Sequence, residues 1–182
     1  MPRPAVFLDR DGVINQRRAD YVKSWSEFEF LPGALEALAR LAGTEAVVIV
    51  ITNQSAVGRG LVSAAELHQI HRRMMDEVAA AGGRIERVYA CIHTPEDRCA
   101  CRKPAAALLL QASLELDVCL TESVMIGDSL SDVRAGQAAG CLPILLQSDL
   151  REMEPPDVIV ASDLSQAVDL LTRSRATALT TC

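Results

Sequence analysis

The chain has 182 residues, 49% of them apolar and 23% charged, with a formal net charge of −6. The negative charge, with aromatics at only 3%, excludes a general nucleic-acid or anionic-membrane surface and the stacking platforms of single-strand binders. A phosphorylated small molecule stays open as partner, because a metal and a few cations can invert the field locally. The length is most simply one domain with a buried core, expected over residues 1–172, with a frayed tail at 173–182. The first residues lack the apolar core of a signal peptide, and the longest apolar run, Ala46 to Ile51, is too short to cross a bilayer. A cytosolic monomer with no nucleic-acid or membrane partner is expected. In a reducing compartment its six cysteines read as metal ligands or packed thiols before they read as disulfides.

In chain order, an apolar run at Val6–Leu8 predicts a first strand that ends in Asp9-Arg10-Asp11-Gly12. Two carboxylates at a strand's carboxyl end lie where open α/β sheets bind ligands. About 4 Å apart they repel by about 4 kcal/mol at an effective dielectric of about 20. A hard, oxygen-preferring divalent ion such as Mg²⁺ relieves this, and a turn with two solvated acids is the plainer alternative. Pro32 opens a helix with Leu35, Leu38 and Leu41 on one face. A second strand, Val47–Ile51, runs into Thr52-Asn53-Gln54-Ser55, which offers hydroxyl and amide groups or simply a cap. Gly58 and Gly60 flank Arg59 in a loop able to approach a ligand, or to leave a solvated arginine. Ser63 and Glu66 form a capping-box pattern before Leu67, Ile70, Met74 and Val78, and Gly82-Gly83 ends that helix.

A third strand is expected at Ile85–Ala90, followed by Cys91, His93, Cys99 and Cys101, four soft ligands within eleven residues. Three cysteines and a histidine in tetrahedral array make a closed, structural zinc site, and metal binding would fold a loop that has no core of its own. The alternative is a disulfide with packed thiols. Cys119, Cys141 and Cys182 have no partner at suggestive spacing and read as ordinary apolar side chains or tail. Arg102-Lys103 precedes Pro104, which is expected to open a helix through Leu116. Cations at a helix start oppose its dipole and call for an anion, a phosphoryl group or the acids themselves, unless both are simply solvated. The strand Val124–Ile126 ends in Gly127-Asp128, with Asp132 four residues on, and a helix spans Ser129 to Ala139 before Gly140. Asp128 can complete a metal site with Asp9 and Asp11, and Asp132 can orient it or cap the helix. Strands at Ile144–Leu146 and Val158–Val160 follow. The alternation predicts an α/β fold, a Rossmann-like parallel sheet with helices on both faces.

With these residues in hand, the sequence resembles the haloacid dehalogenase superfamily, from Phe7 to Gly140. The ordered motifs are Asp9-Arg10-Asp11-Gly12, Thr52, Lys103, and Asp128 with Asp132. Thr-Asn-Gln-Ser with Gly-Arg-Gly, then Cys-x-His, Cys-x-Cys and Arg-Lys-Pro, resemble the zinc-loop branch that holds heptose-bisphosphate and histidinol-phosphate phosphatases. The resemblance implies that Asp9 attacks phosphorus, Asp11 is acid and base, Thr52 binds the phosphoryl group and Lys103 neutralises charge. It implies Mg²⁺ held by Asp9, the Asp11 carbonyl and Asp128, with Asp132 behind them. It further implies that Asn53, Arg59 and Arg102 contact a small phosphorylated sugar.

Only about 36 residues separate Asn15 from Thr52 and about 50 separate Thr52 from Lys103, so no cap domain fits and the site should be open. The Ser55-to-Gly60 loop favours a heptose bisphosphate. The five residues between His93 and Cys99 instead resemble histidinol-phosphatase spacing. A receiver domain would place its acceptor aspartate after a later strand and has no zinc loop. A polynucleotide 3′-phosphatase sits poorly with the net charge and the absence of a basic arm.

Overall fold

The computed structural model describes residues 2–146 and 158–178. Six parallel strands form one sheet: β1 (Ala5–Leu8), β2 (Val47–Asn53), β3 (Arg87–Cys91), β4 (Val124–Gly127), β5 (Leu142–Leu146) and β6 (Ile159–Ala161). Their order is β3-β2-β1-β4-β5-β6, so the chain winds outward from β1 in one direction and then, beginning at β4, in the other. Side by side, β1 and β4 pair Val6 with Val124 and Leu8 with Ile126. The topological switch point therefore lies where Asp9 and Asp128 leave their strands, the position at which such sheets bind ligands.

Strands buried on both faces read as apolar runs, and β2 is buried at every residue from Val47 to Thr52. One face of the sheet, with Val6, Leu8, Val48, Val50, Ile126 and Ile144, packs on α1 (Ala34–Ala42), α3 (Ala64–Ala80) and α6 (Leu164–Ala178). The other, with Phe7, Val47, Ile49, Ile51 and Met125, packs on α4 (Ala107–Leu116) and α5 (Leu130–Ala139). The expected Ser63–Glu66 capping box is formed, with Glu66 N–H donating to Ser63 Oγ at 3.1 Å and Ser63 N–H to Glu66 Oε2 at 3.0 Å.

Three elements differ from expectation. The helix expected from Pro104 begins at Ala107, and residues 173–178 of the expected tail continue α6. A short helix, α2 (Ser55–Gly58), occupies part of the expected Ser55–Gly60 loop. Between β1 and α1 lie only bridges and one 3-10 turn, Trp25–Glu27, and after β3 only the turn Pro95–Asp97. Among the described residues no cap domain stands over the strand ends. None of their helices is long and apolar enough to cross a membrane.

Candidate active site

Three strand ends meet around one ammonium group. Lys103 Nζ lies 2.9 Å from Asp9 Oδ1 and 2.6 Å from Asp132 Oδ1, and donates to the Ile51 carbonyl at 2.7 Å. Its side chain is almost wholly buried. Burial works to lower the Lys103 pKa and is outweighed by Asp9 and Asp132, so the lysine stays charged. Burial, foremost, pushes Asp9 above the usual carboxylate range, and Asp132 and Asp11 add to this against Lys103. The lysine is aimed from its backbone: Asn53 Nδ2 donates to the Lys103 carbonyl and Lys103 N–H to Asn53 Oδ1, both at 3.1 Å. Asn53, expected at the substrate, is committed to this clamp while still lining the cleft.

Asp128 leaves β4 beside Asp9. Burial raises its pKa to about 7 despite Arg17, whose Nη2 lies 2.7 Å from Asp128 Oδ1. The close approach depends on Gly12, at φ +86°: a Cβ there would stand 1.9 Å from Asp128 Oδ2. Asp132 caps α5, accepting from Ser129 N–H at 3.1 Å and Ser129 Oγ at 2.6 Å, with its other oxygen on Lys103. Ligand oxygens of Asp9, Asp128 and Asp132 all lie within 4.8 Å of one another, a hard donor set with the charge to suit a divalent cation.

The Asp11 carboxylate stands apart from that trio. Oδ1 accepts from Arg10 Nη2 and Asn15 Nδ2, both at 2.9 Å. Oδ2 accepts from Arg10 Nη2 at 3.0 Å and Gln54 Nε2 at 2.7 Å. Burial works to raise the Asp11 pKa, but the Arg10 charge and these donors outweigh it and hold the group ionised. Gln54 also approaches Thr52 Oγ1 at 2.8 Å and ties the threonine to Asp11.

Above this floor opens a cleft of about 450 Å³ walled by Arg17, Arg18, Tyr21, Ser55 and Arg102. Arg17, Arg18 and Tyr21 are not among the site residues expected from sequence; the pair of arginines two residues after Asn15 was the available signal. Tyr21 holds a left-handed backbone at φ +66°, and its hydroxyl pKa is lowered by Ser55, with Arg59 and Arg102 nearby. Arg59 lies beside this cluster, its Nη2 3.7 Å from Glu96 Oε2.

Beyond Arg102, Cys91, His93, Cys99 and Cys101 converge. The sulfurs lie 3.2–3.5 Å apart, and His93 Nδ1 is 3.3 Å from Cys101 Sγ and 3.8 Å from Cys91 Sγ. No disulfide joins the described cysteines, and the four ligand atoms could hold a metal. Arg102 Nη1 donates to the His93 carbonyl at 3.3 Å, which ties the cleft wall to this loop. Cys141 is buried in the core, as expected, and Cys182 lies outside the described residues.

A parallel sheet with carboxylates and a lysine gathered at its switch point, and no cap domain among the described residues, has the architecture of a HAD-type hydrolase. The HAD-hydrolase-like family model matches residues 100–167. A D-glycero-beta-D-manno-heptose-1,7-bisphosphate 7-phosphatase of Bordetella bronchiseptica is 43% identical over 143 residues, 79% of this chain and 80% of the relative. A D-glycero-alpha-D-manno-heptose-1,7-bisphosphate 7-phosphatase of Mycobacterium tuberculosis is 40% identical over 76% of this chain and 77% of its own. The crystal structure of the D,D-heptose 1,7-bisphosphate phosphatase from B. bronchiseptica, complexed with magnesium and phosphate, superposes with a TM-score of 0.88. It is 38% identical, over 94% of this chain and 99% of that one. The chain belongs to the family of the D-glycero-D-manno-heptose-1,7-bisphosphate 7-phosphatases, within the HAD-like hydrolases.

Proposed function

We propose that this chain removes the 7-phosphate from a D-glycero-D-manno-heptose 1,7-bisphosphate through a phosphorylated Asp9. The observation that carries the reading is the convergence of Asp9, Asp128, Asp132 and Lys103 beneath a cleft rimmed by Arg17, Arg18 and Arg102. An anionic floor suits a divalent metal that would neutralise the phosphoryl group transferred to Asp9, and a cationic rim suits a second phosphate.

Asp9 Oδ forms a bond to phosphorus as the bond from phosphorus to the sugar oxygen breaks. Asp11, ionised without substrate, takes up a proton as the anionic phosphate binds beside it and passes that proton to the leaving oxygen. Water then attacks phosphorus, its proton passes to Asp11, and the Asp9–phosphorus bond breaks. Lys103 fixes Asp9 and offsets charge on the transferring group, and Thr52 hydrogen-bonds it. Asp9, the Asp11 carbonyl and Asp128 would hold magnesium, which would stabilise charge on the transferring phosphoryl group, and Asp132 places Lys103 behind them. Arg102 and Arg59 bind the sugar hydroxyls or the second phosphate, and Asn53 acts by holding Lys103.

In the cysteine loop we infer a structural zinc. A tetrahedral ion at about 2.3 Å from sulfur and about 2.0–2.1 Å from nitrogen sets its sulfurs about 3.8 Å apart. The observed separations fall within roughly half an ångström of that value. All four positions are protein ligands, so this metal has no catalytic opening.

Phosphorus NMR of the reaction with Mg²⁺ tests the regiochemistry. The expected product keeps the anomeric phosphate and releases inorganic phosphate from C7. Loss of the anomeric phosphate instead overturns the reading.

A further inference from the structure

We propose that His71 and Arg10 act as a positioning pair that aims the Asp11 carboxylate at the water which hydrolyses the Asp9 phosphoenzyme. The proposal rests on the reading of Asp11 as acid and base given above.

Arg10 sits between the two candidate catalytic aspartates in sequence, yet its side chain is completely buried and turned into the protein. One guanidinium nitrogen, Nη2, lies 2.9 and 3.0 Å from the two oxygens of Asp11. The other, Nη1, lies 3.1 Å from Nε2 of His71, a buried residue of α3. The guanidinium carbon stands 5.9 Å from the centre of the Phe28 ring. Arginine has only donors, so His71 Nε2 must be the accepting nitrogen and its ring proton sits on Nδ1. A protonated imidazole could not make this contact. Burial, with the adjacent Arg10 charge, keeps His71 neutral and lowers its pKa to about 3.

Stability alone does not account for the arrangement. Arg10 Nε is buried with no hydrogen-bond partner among the described residues, and a buried ion pair is weak evidence of stabilisation compared with apolar residues of similar volume. What the pair provides is direction. The short Asp11 side chain can rotate about its terminal torsion, and an arginine anchored at its far end on α3 prevents this. With Asn15 on Oδ1 and Gln54 on Oδ2, every contact presents a donor, so the carboxylate is held as a proton acceptor. That is the form required in the second half of the reaction, when the attacking water must lose its proton. A misplacement of about an ångström in such a group costs one to two powers of ten in rate.

The test separates the two half-reactions. In His71→Leu, which leaves Nη1 unpaired, the expected kcat on p-nitrophenyl phosphate falls about tenfold or more. KM falls in parallel, so that kcat/KM, which reports formation of the phosphoenzyme, stays near the wild-type value, because p-nitrophenolate leaves without needing a proton from Asp11. Acid quenching then finds phosphorylated Asp9 accumulated. His71→Gln, whose amide oxygen can accept from Nη1, recovers most of the turnover. A purely structural role lowers kcat/KM together with kcat and accumulates no phosphoenzyme, and that result overturns the proposal. Should His71→Leu fail to fold, Arg10→Lys keeps the charge but cannot reach His71 and Asp11 together, and must show the same split. Wild-type partitioning in that variant also overturns the proposal. If the wild-type protein itself never phosphorylates Asp9, the underlying mechanism fails, which is distinguishable from failure of the positioning role.

Discussion

Lys103 shows how much of the site hangs on single atoms. Its ammonium donates to the Ile51 carbonyl and pairs with the carboxylates of Asp9 and Asp132, so it adds rigidity as well as charge at Asp9. Asp9 was visible in the sequence because it follows an apolar run, Lys103 because it precedes a helix, and Asp132 because it lies one helical turn beyond Asp128. Asn53 was visible too, but its clamp on the Lys103 backbone spans 50 residues of sequence and no local pattern shows it. His71 was hidden for a related reason, since a histidine on an amphipathic helix reads as surface or core until Arg10 is placed beside it. Arg102 gives the sharpest prediction at this scale. Its side chain lines the cleft and is steadied by the His93 carbonyl, so Arg102→Ala should raise KM for the heptose bisphosphate at least tenfold. On p-nitrophenyl phosphate, which lacks the second phosphate, KM should change by less than about threefold, as steady-state kinetics would show. An equal effect on both would remove Arg102 from substrate recognition.

Elements carry the next level. The α3 helix was readable from both its cap and its 3.6-residue apolar period, and Leu67, Ile70, Met74 and Val78 are all buried as that period demands. Ser63→Ala removes the acceptor for Glu66 N–H and should cost about 1 kcal/mol in urea unfolding, with kcat unchanged. By contrast α6 went unread although Leu164, Ala167, Val168 and Leu171 carry the same period, because its polar last turns outweigh that short stripe. The cysteine loop depends on its ligands, since residues 92–106 contain only one turn of regular structure. Cys99→Ser should lose bound zinc by metal analysis and, through Arg102, raise KM for the bisphosphate. A variant with full zinc and unchanged affinity would show that the loop does not hold the cleft wall.

At the scale of the molecule, the switch between β1 and β4 explains why chemistry scattered from residue 9 to residue 132 meets in one place. Strand existence and the parallel class followed from apolar runs alternating with helical periods. Strand order did not, because it is set by packing of the crossover helices on the two faces. The cleft wall was equally hidden: Arg17 and Tyr21 reach the site through a loop whose course is fixed by Asn15, Phe28 and Phe30. The buried His71 adds a pH dependence to the whole fold. Its folded pKa of about 3 lies below the ordinary 6.5, chiefly through burial. The unfolded chain therefore binds the proton first, and stability present above pH 6.5 is lost as pH falls toward 3, by about 1.4 kcal/mol per unit. Urea unfolding between pH 7 and 5 should show His71→Gln losing about 2 kcal/mol less than the wild type, and equal losses would show that His71 is not buried neutral. The central claim, that this chain is a heptose-bisphosphate phosphatase working through Asp9, is tested most directly by phosphate release with Mg²⁺. Both anomers of D-glycero-D-manno-heptose 1,7-bisphosphate would be compared with histidinol phosphate, with Asp9→Asn as the blank. The account predicts a kcat/KM at least about a hundredfold higher for a heptose anomer and no turnover in the blank. A preference for histidinol phosphate, or undiminished turnover by Asp9→Asn, would contradict it.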